Sequence, residues 1–94
     1  MEEKYLGEED LKERGVRLTP QRLELMRILK KLRNNHPSFN EIYKAVKIKH
    51  PTVSRSTVYD NLKLLVDLDM ITSFHYKGET HYELNPDLHI NLAD

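Results

Sequence analysis

Residues 54–65 read SRSTVYDNLKLL, a stretch with one apolar and one polar face at helical spacing. Its apolar stripe consists of Val58, Leu62, Leu65 and Val66. Its polar face carries Arg55, Ser56, Tyr59, Asp60 and Lys63. Ser54 is a residue type that caps helix N-termini, so the stretch predicts an amphipathic helix over residues 54–69.

Further helices are predicted before this one. Thr19-Pro20 combines a capping residue with proline at the first helical position, where its missing N–H is no loss. The apolar stripe of this helix is Leu25, Ile28, Leu29 and Leu32. A shorter helix is predicted over Glu8 to Arg14, because Gly15 suits the left-handed position after a helix.

The segment SFNEIYKAVKIKH, residues 38–50, predicts the helix between these two. Ser38 and Glu41 have the spacing of a capping box, and His50-Pro51 is expected to end the helix. The short turn that follows, before Ser54, has the length that a helix-turn-helix requires.

After Met70 the pattern changes from helical to extended. The runs ITSFHY (71–76) and HYEL (81–84) are rich in β-formers, and residues 77–80 between them predict a hairpin. His75 and His81 could face each other across it, as an explanation that needs no functional role. Short helices followed by a two-stranded hairpin are the α+β outline of a winged helix-turn-helix, which we expect to occupy residues 1–85.

Basic and acidic residues are concentrated in different parts of the chain, although the net charge is zero. From residue 12 to residue 63 there are 13 Lys and Arg against 4 Asp and Glu, and the remainder carries 2 against 11. A basic segment of this kind is typical of nucleic-acid binders. Lysine-rich solvated helix faces are the alternative explanation.

Other classes are disfavoured by composition. The chain has no cysteine, which excludes disulfides and thiolate zinc sites. No apolar run reaches the length of a membrane span, and the acidic N-terminus does not resemble a signal sequence, so the cytoplasm is expected. No nucleophile and base are grouped in the sequence, so we do not expect an enzyme.

The helix at 54–69 has side chains suited to the major groove of DNA. Arg55 can bind phosphate or a guanine edge, Tyr59 can pack on a thymine methyl, and Lys63 suits phosphate. Ser56 and Thr57 can donate to phosphate. A winged-helix module that binds another protein is the alternative, favoured by the zero net charge and by Asp60.

Asp60 is unexpected on such a face, because phosphates repel carboxylates. Its carboxylate could pair with a cation, for which Lys63, Arg22 and Arg27 are the candidates. It could instead accept a hydrogen bond from a cytosine amino group, or it could simply be exposed.

Four runs resemble the N-terminal DNA-binding domain of the ferric uptake regulator (Fur) family, over about residues 11–91. They are GVRLTPQRLELMRIL, HPSFNEIYKAV, STVYDNLKLLVDLDMI and GETHYEL. The resemblance implies a bacterial or archaeal repressor that binds double-stranded operator DNA as a homodimer under control of a metal. It implies DNA contacts by Tyr59 and by the R-x-T-x-x-R motif, which is Arg17, Thr19 and Arg22 here. Asp60 stands where the family commonly has arginine or lysine.

The resemblance also implies a regulatory site for Fe, Zn or Mn at the hinge after the hairpin. Its ligands would be His36, Glu83 and His89, while Asn91 replaces the second histidine of the family's H-x-H. Three ligands make an open or weak site, and without cysteine the family's structural zinc is not expected. We expect residues 86–94 to begin the hinge to an absent dimerisation domain, and this chain to be monomeric or weakly dimeric.

Overall fold

The computed structural model describes residues 12–17 and 19–85. Within them the chain forms three helices and one antiparallel hairpin: α1 (Pro20–Lys31), α2 (Phe39–Lys49), α3 (Arg55–Asp67), β1 (Ile71–Tyr76) and β2 (Glu79–Leu84). Most of the predicted first helix, residues 8–11, lies outside the described residues. Its expected end is confirmed, since Gly15 has a φ of 76° in the left-handed region.

The N-terminus of each helix is capped by the side chain that the sequence indicates. The Thr19 hydroxyl accepts from the backbone N–H of α1 at 3.2 Å, and Ser54 does the same for α3 at 3.1 Å. Ser38 and Glu41 form the predicted capping box at the start of α2. The chain turns left-handed at Asp69, with a φ of 60°, so α3 ends earlier than predicted.

The hairpin differs from its prediction at the turn. Lys77 and Gly78 have φ values of 50° and 80°, the combination of a two-residue type I′ turn. Because this turn is tight, β2 begins at Glu79 and the predicted four-residue connection is wrong. His75 lies opposite Thr80 and His81 opposite Phe74. Adjacent pairs alternate between the two faces of the hairpin, so the two histidines do not face each other.

The core lies where the three helices meet the base of the hairpin. The apolar stripes of the helices supply most of it, and Met70, Ile71 and Tyr82 close it from the hairpin side. The distal part of β1 is exposed. This arrangement holds α3 against α1 and α2 by its apolar stripe and leaves its other face in solvent. In the described part of the chain, no helix has the length and apolar character needed to cross a membrane.

Candidate nucleic-acid interface

The polar face of α3 is exposed as predicted. Its solvent-facing side chains are Arg55, Ser56, Thr57, Tyr59, Asp60 and Lys63. The face results from helical geometry, because Val58, Leu62 and Leu65 are almost completely buried on the other side. The structure therefore brings together on one surface all six residues of this helix that the sequence proposes for DNA contact.

Arg55, the first residue of α3, is held by residues of α2. One guanidinium nitrogen, Nη2, donates to Asn40 Oδ1 at 2.7 Å. The guanidinium carbon lies 5.0 Å from the ring centroid of Phe39 and 4.9 Å from that of Tyr43. These distances are typical of cation–π contacts. The cation is thus exposed but oriented.

Tyr59 stands half-exposed between α2 and the hairpin, with 51% of its surface accessible. Its ring meets Phe39 edge to face, with centroids 6.4 Å apart. Burial raises the pKa of the nearby Tyr82 hydroxyl, and Tyr59 adds to the rise. An open groove of about 220 Å³ runs between Arg55 and Tyr59 on one side and turn residues 78–80 on the other.

Hydroxyl groups cluster at the N-terminus of α3. Ser54 Oγ lies 2.9 Å from Thr57 Oγ1 and 3.1 Å from Ser56 Oγ. The cluster caps the helix and remains exposed. Its hydroxyls are placed where further acceptors could approach.

Of the three alternatives for Asp60, the ion pair with Lys63, Arg22 or Arg27 is not formed, and each of these cations binds another acceptor. Lys63 lies 3.7 Å from Asp67, one turn further along α3. Arg27 binds Glu24, and Arg22 binds elsewhere within the fold. Among the described residues, Asp60 has no ion-pair partner and is exposed.

Arg22 is committed to internal contacts that sequence reasoning did not find. Its Nε donates to Asn61 Oδ1 at 2.8 Å, and its Nη1 donates to the carbonyl oxygen of Arg17 at 2.8 Å. Asn61 is only 9% exposed. The helical spacing of Asn61 from Val58 was the signal that it faces inward. The Arg17 side chain is exposed beside this contact.

A buried carboxylate, Glu24, was also missed. It is 6% exposed and accepts two hydrogen bonds from Arg27, while Lys49 Nζ of α2 lies 3.7 Å away. The hydrogen bond from Arg27 holds the pKa of Glu24 below its ordinary value, against the opposing effect of burial. Its position directly before Leu25 in the apolar stripe was the available signal.

Two of the three predicted metal ligands, His36 and Glu83, lie next to each other. His36 Nδ1 lies 2.7 Å from Glu83 Oε1. His36 has a φ of 47°, and its carbonyl oxygen is 2.8 Å from Nδ1 of His81, which ties this turn to β2. His89 lies outside the described residues. Within residues 12–17 and 19–85, no group of three or more metal-ligating side chains is arranged to hold an ion.

Comparison with known families agrees with this architecture. The model of the ferric uptake regulator family matches residues 13–93. The chain belongs to the ferric uptake regulator family. The family resemblance inferred from the sequence is therefore confirmed.

Individual Fur-family relatives match across most of the chain. The ferric uptake regulation protein homolog of Archaeoglobus fulgidus is 40% identical over 86 residues, which are 92% of this chain and 67% of the relative. The peroxide-responsive repressor PerR of Staphylococcus epidermidis is 34% identical, over 87% of this chain and 55% of the relative. The chain thus spans about half to two thirds of the length of these relatives.

Solved structures of Fur-family regulators share the fold. A zinc-bound manganese uptake regulator superimposes with a TM-score of 0.75 at 32% identity, covering 93% of this chain and 63% of that one. The predicted winged helix-turn-helix is thereby confirmed, with α2 and α3 as the helix-turn-helix pair and β1–β2 as the wing.

Proposed function

We propose that this Fur-family chain binds double-stranded operator DNA as part of a transcription repressor, with α3 in the major groove. The outer face of α3 carries the proposal, since it combines an oriented arginine and an exposed tyrosine at the N-terminal half of a helix. The name of the Staphylococcus relative, a repressor, supports it. We propose regulation by binding, with no catalytic step. The relatives do not favour the alternative of a module that binds only protein.

The direct contacts we propose are the exposed donors of this surface. They are Arg17, Arg55, Ser56, Thr57, Tyr59 and Lys63. Thr19 and Arg22 are assigned a supporting role, because the Thr19 hydroxyl caps α1 and the Arg22 guanidinium already has two acceptors inside the fold. This differs from the sequence-based hypothesis, in which both contact DNA.

Asp60 is proposed as a base-reading residue. Its side chain is exposed in the middle of the polar face of α3, and no cation among the described residues forms an ion pair with it. A carboxylate there repels phosphate, whereas the N4 amino group of cytosine is a base-edge donor that it can accept from. Cytosine at the base pair facing Asp60 is the expected preference.

Two copies are proposed to act together on the operator. A winged-helix domain reads one half-site, and linking two such domains raises affinity through a high effective concentration. We propose residues 1–85 as the reading domain and residues 86–94 as the start of the hinge to a dimerisation domain. The domain alone is expected to bind weakly.

A regulatory metal is proposed at His36 and Glu83, with His89 as a third ligand. Imidazole and carboxylate donors suit Fe, Zn or Mn, and these two side chains are neighbours, so that a metal would replace the 2.7 Å contact between His36 Nδ1 and Glu83 Oε1. Two donors alone make a weak site, and the chain has no cysteine to form a thiolate zinc site. The solved neighbours include a zinc-bound regulator and one with iron.

Selection of duplexes from a random pool at low salt tests the proposed function. The chain, fused to a dimerising coiled coil, is expected to enrich a palindrome in which one base pair of each half-site depends on Asp60. The variant Asp60→Asn should relax the preference at that base pair alone. Enrichment of no sequence, with no retention of duplex DNA, would reject the proposal.

A further inference from the structure

The strongest unexplained feature is the set of contacts that α2 makes with Arg55. Phe39 and Tyr43 stack on each other, with centroids 6.1 Å apart and an interplanar angle of 7°. The guanidinium of Arg55 lies about 5 Å from both ring centroids and donates to Asn40. A surface arginine ordinarily samples many rotamers, so holding Arg55 in three simultaneous contacts costs side-chain entropy.

We infer that Asn40, Phe39 and Tyr43 of α2 are positioning residues that fix Arg55 in its DNA-binding orientation before DNA arrives. The inference rests on the proposed DNA-binding function. None of these three residues lies on α3, the helix proposed to enter the major groove, so α2 would contribute to affinity without touching the bases. We name the four residues together the Arg55 clamp.

The donor geometry of the Arg55 clamp supports this role. Arginine carries five N–H donors in a planar fork, and Asn40 occupies only one of them. The remaining donors can form a paired contact with two acceptors in one plane, as on a guanine edge or a phosphate. Stacking fixes the plane of the fork, so less conformational entropy is lost when DNA binds.

The surroundings of the Arg55 guanidinium leave it open to a ligand that approaches from solvent. Arg55 and Asn40 line the groove between α3 and the hairpin turn, and both side chains are exposed. The nearby carboxylate of Glu41, in the first turn of α2, accepts a hydrogen bond from the backbone N–H of Ser38 in the capping box. No carboxylate of the described residues forms an ion pair with Arg55, so its charge is available to an external acceptor.

A double-mutant cycle in DNA binding tests the Arg55 clamp. Asn40→Ala is expected to weaken binding about two- to fivefold in the wild-type background and to have no effect in the Arg55→Ala background. An equal loss in both backgrounds would overturn the inference, because Asn40 would then act independently of Arg55. Absence of wild-type binding would instead reject the proposed function together with the clamp.

A conservative substitution separates positioning from charge. Arg55→Lys keeps the positive charge but loses the planar fork and its stacking, so its affinity should fall close to that of Arg55→Ala. Binding of Arg55→Lys at the wild-type level would overturn the inference. A loss confined to one guanine position would assign the fork to a base edge, whereas a uniform loss would assign it to phosphate, and both support the clamp.

The clamp is also testable without DNA. Ring currents should shift the Arg55 side-chain protons of the free protein upfield, and Phe39→Leu should reduce the shift while keeping an apolar residue at this partly buried position. Arg55 shifts typical of an unconstrained arginine in the wild-type protein would overturn the inference. Folding of each variant is checked by its thermal midpoint.

Discussion

Arg22 Nε donates to Asn61 Oδ1 at 2.8 Å, and this bond joins α1 to the buried side of α3. The second bond of Arg22, to the carbonyl oxygen of Arg17, fixes the segment that precedes α1. The arginine that the sequence alone suggests as a DNA contact therefore helps the apolar core to hold α3, and with it the exposed face, in place. Replacement of Arg22 should therefore lower the stability of the fold more than it changes DNA recognition.

Arg22→Ala is predicted to lower the free energy of unfolding by about 1–3 kcal/mol, because the buried amide oxygen of Asn61 loses its donor. Urea unfolding measures this. Lys63→Ala is the matched control, since its pair with Asp67 is exposed on both sides and should change stability by less than about 0.5 kcal/mol. Unchanged stability with a large loss of DNA affinity would make Arg22 a direct contact.

Tyr59→Ala is predicted to weaken DNA binding about tenfold, because an exposed aromatic ring that packs against bases loses its contact area. Tyr59→Phe keeps the ring and should lose about threefold, through the hydroxyl alone. Titrations followed by fluorescence anisotropy measure both. Stability should change little, and an unfolding loss as large as the binding loss would place Tyr59 in the core.

Glu24→Gln is predicted to destabilise the protein at neutral pH by about 1–3 kcal/mol, since the charged hydrogen bonds from Arg27 are weakened. The pKa of Glu24 is lowered in the folded state, chiefly by Arg27. Its stabilisation is therefore complete above the unfolded pKa of about 4.3 and is lost as pH falls through the lower folded pKa.

Unfolding measured from neutral to acidic pH tests this sign. The stability difference between wild type and Glu24→Gln should shrink on acidification. Glu79→Gln, on the exposed start of β2, controls for the removal of one carboxylate. A difference that widened in acid would contradict the assignment.

Zinc is predicted to bind the chain weakly and to shift the His36 and Glu83 resonances together, since their side chains already meet at 2.7 Å. His36→Ala should remove the shift at Glu83. His75→Ala is the control, because His75 lies near the hairpin tip opposite Thr80. Shifts at neither residue at millimolar zinc would reject the proposed metal site.

Local chemistry made the helices predictable from the sequence. Thr19, Ser38 and Ser54 cap helices through bonds to residues three positions away, so spacing alone identifies them. The tight turn was less visible, because Lys77 adopts a positive φ that its residue type rarely favours.

Long-range partners were not predictable. Arg22 and Asn61 are 39 positions apart. Whether Arg22 binds Asn61 or the neighbouring Asp60 depends on how α1 and α3 pack, which no local sequence pattern encodes. The same holds for the clamp on Arg55, whose partner Asn40 is 15 positions away. The exposed face of α3 could be predicted because its period is local, whereas its supporting contacts could not.

The salt dependence of binding tests whether the exposed face of α3 binds the phosphates and bases of duplex DNA. The logarithm of the association constant should fall linearly with the logarithm of salt, with a slope near −2.7 if Arg17, Arg55 and Lys63 each neutralise one phosphate. Lys63→Ala should make the slope shallower by about 0.9. A slope near zero, or no detectable binding at low salt even by the coiled-coil fusion, would show that this surface does not bind duplex DNA.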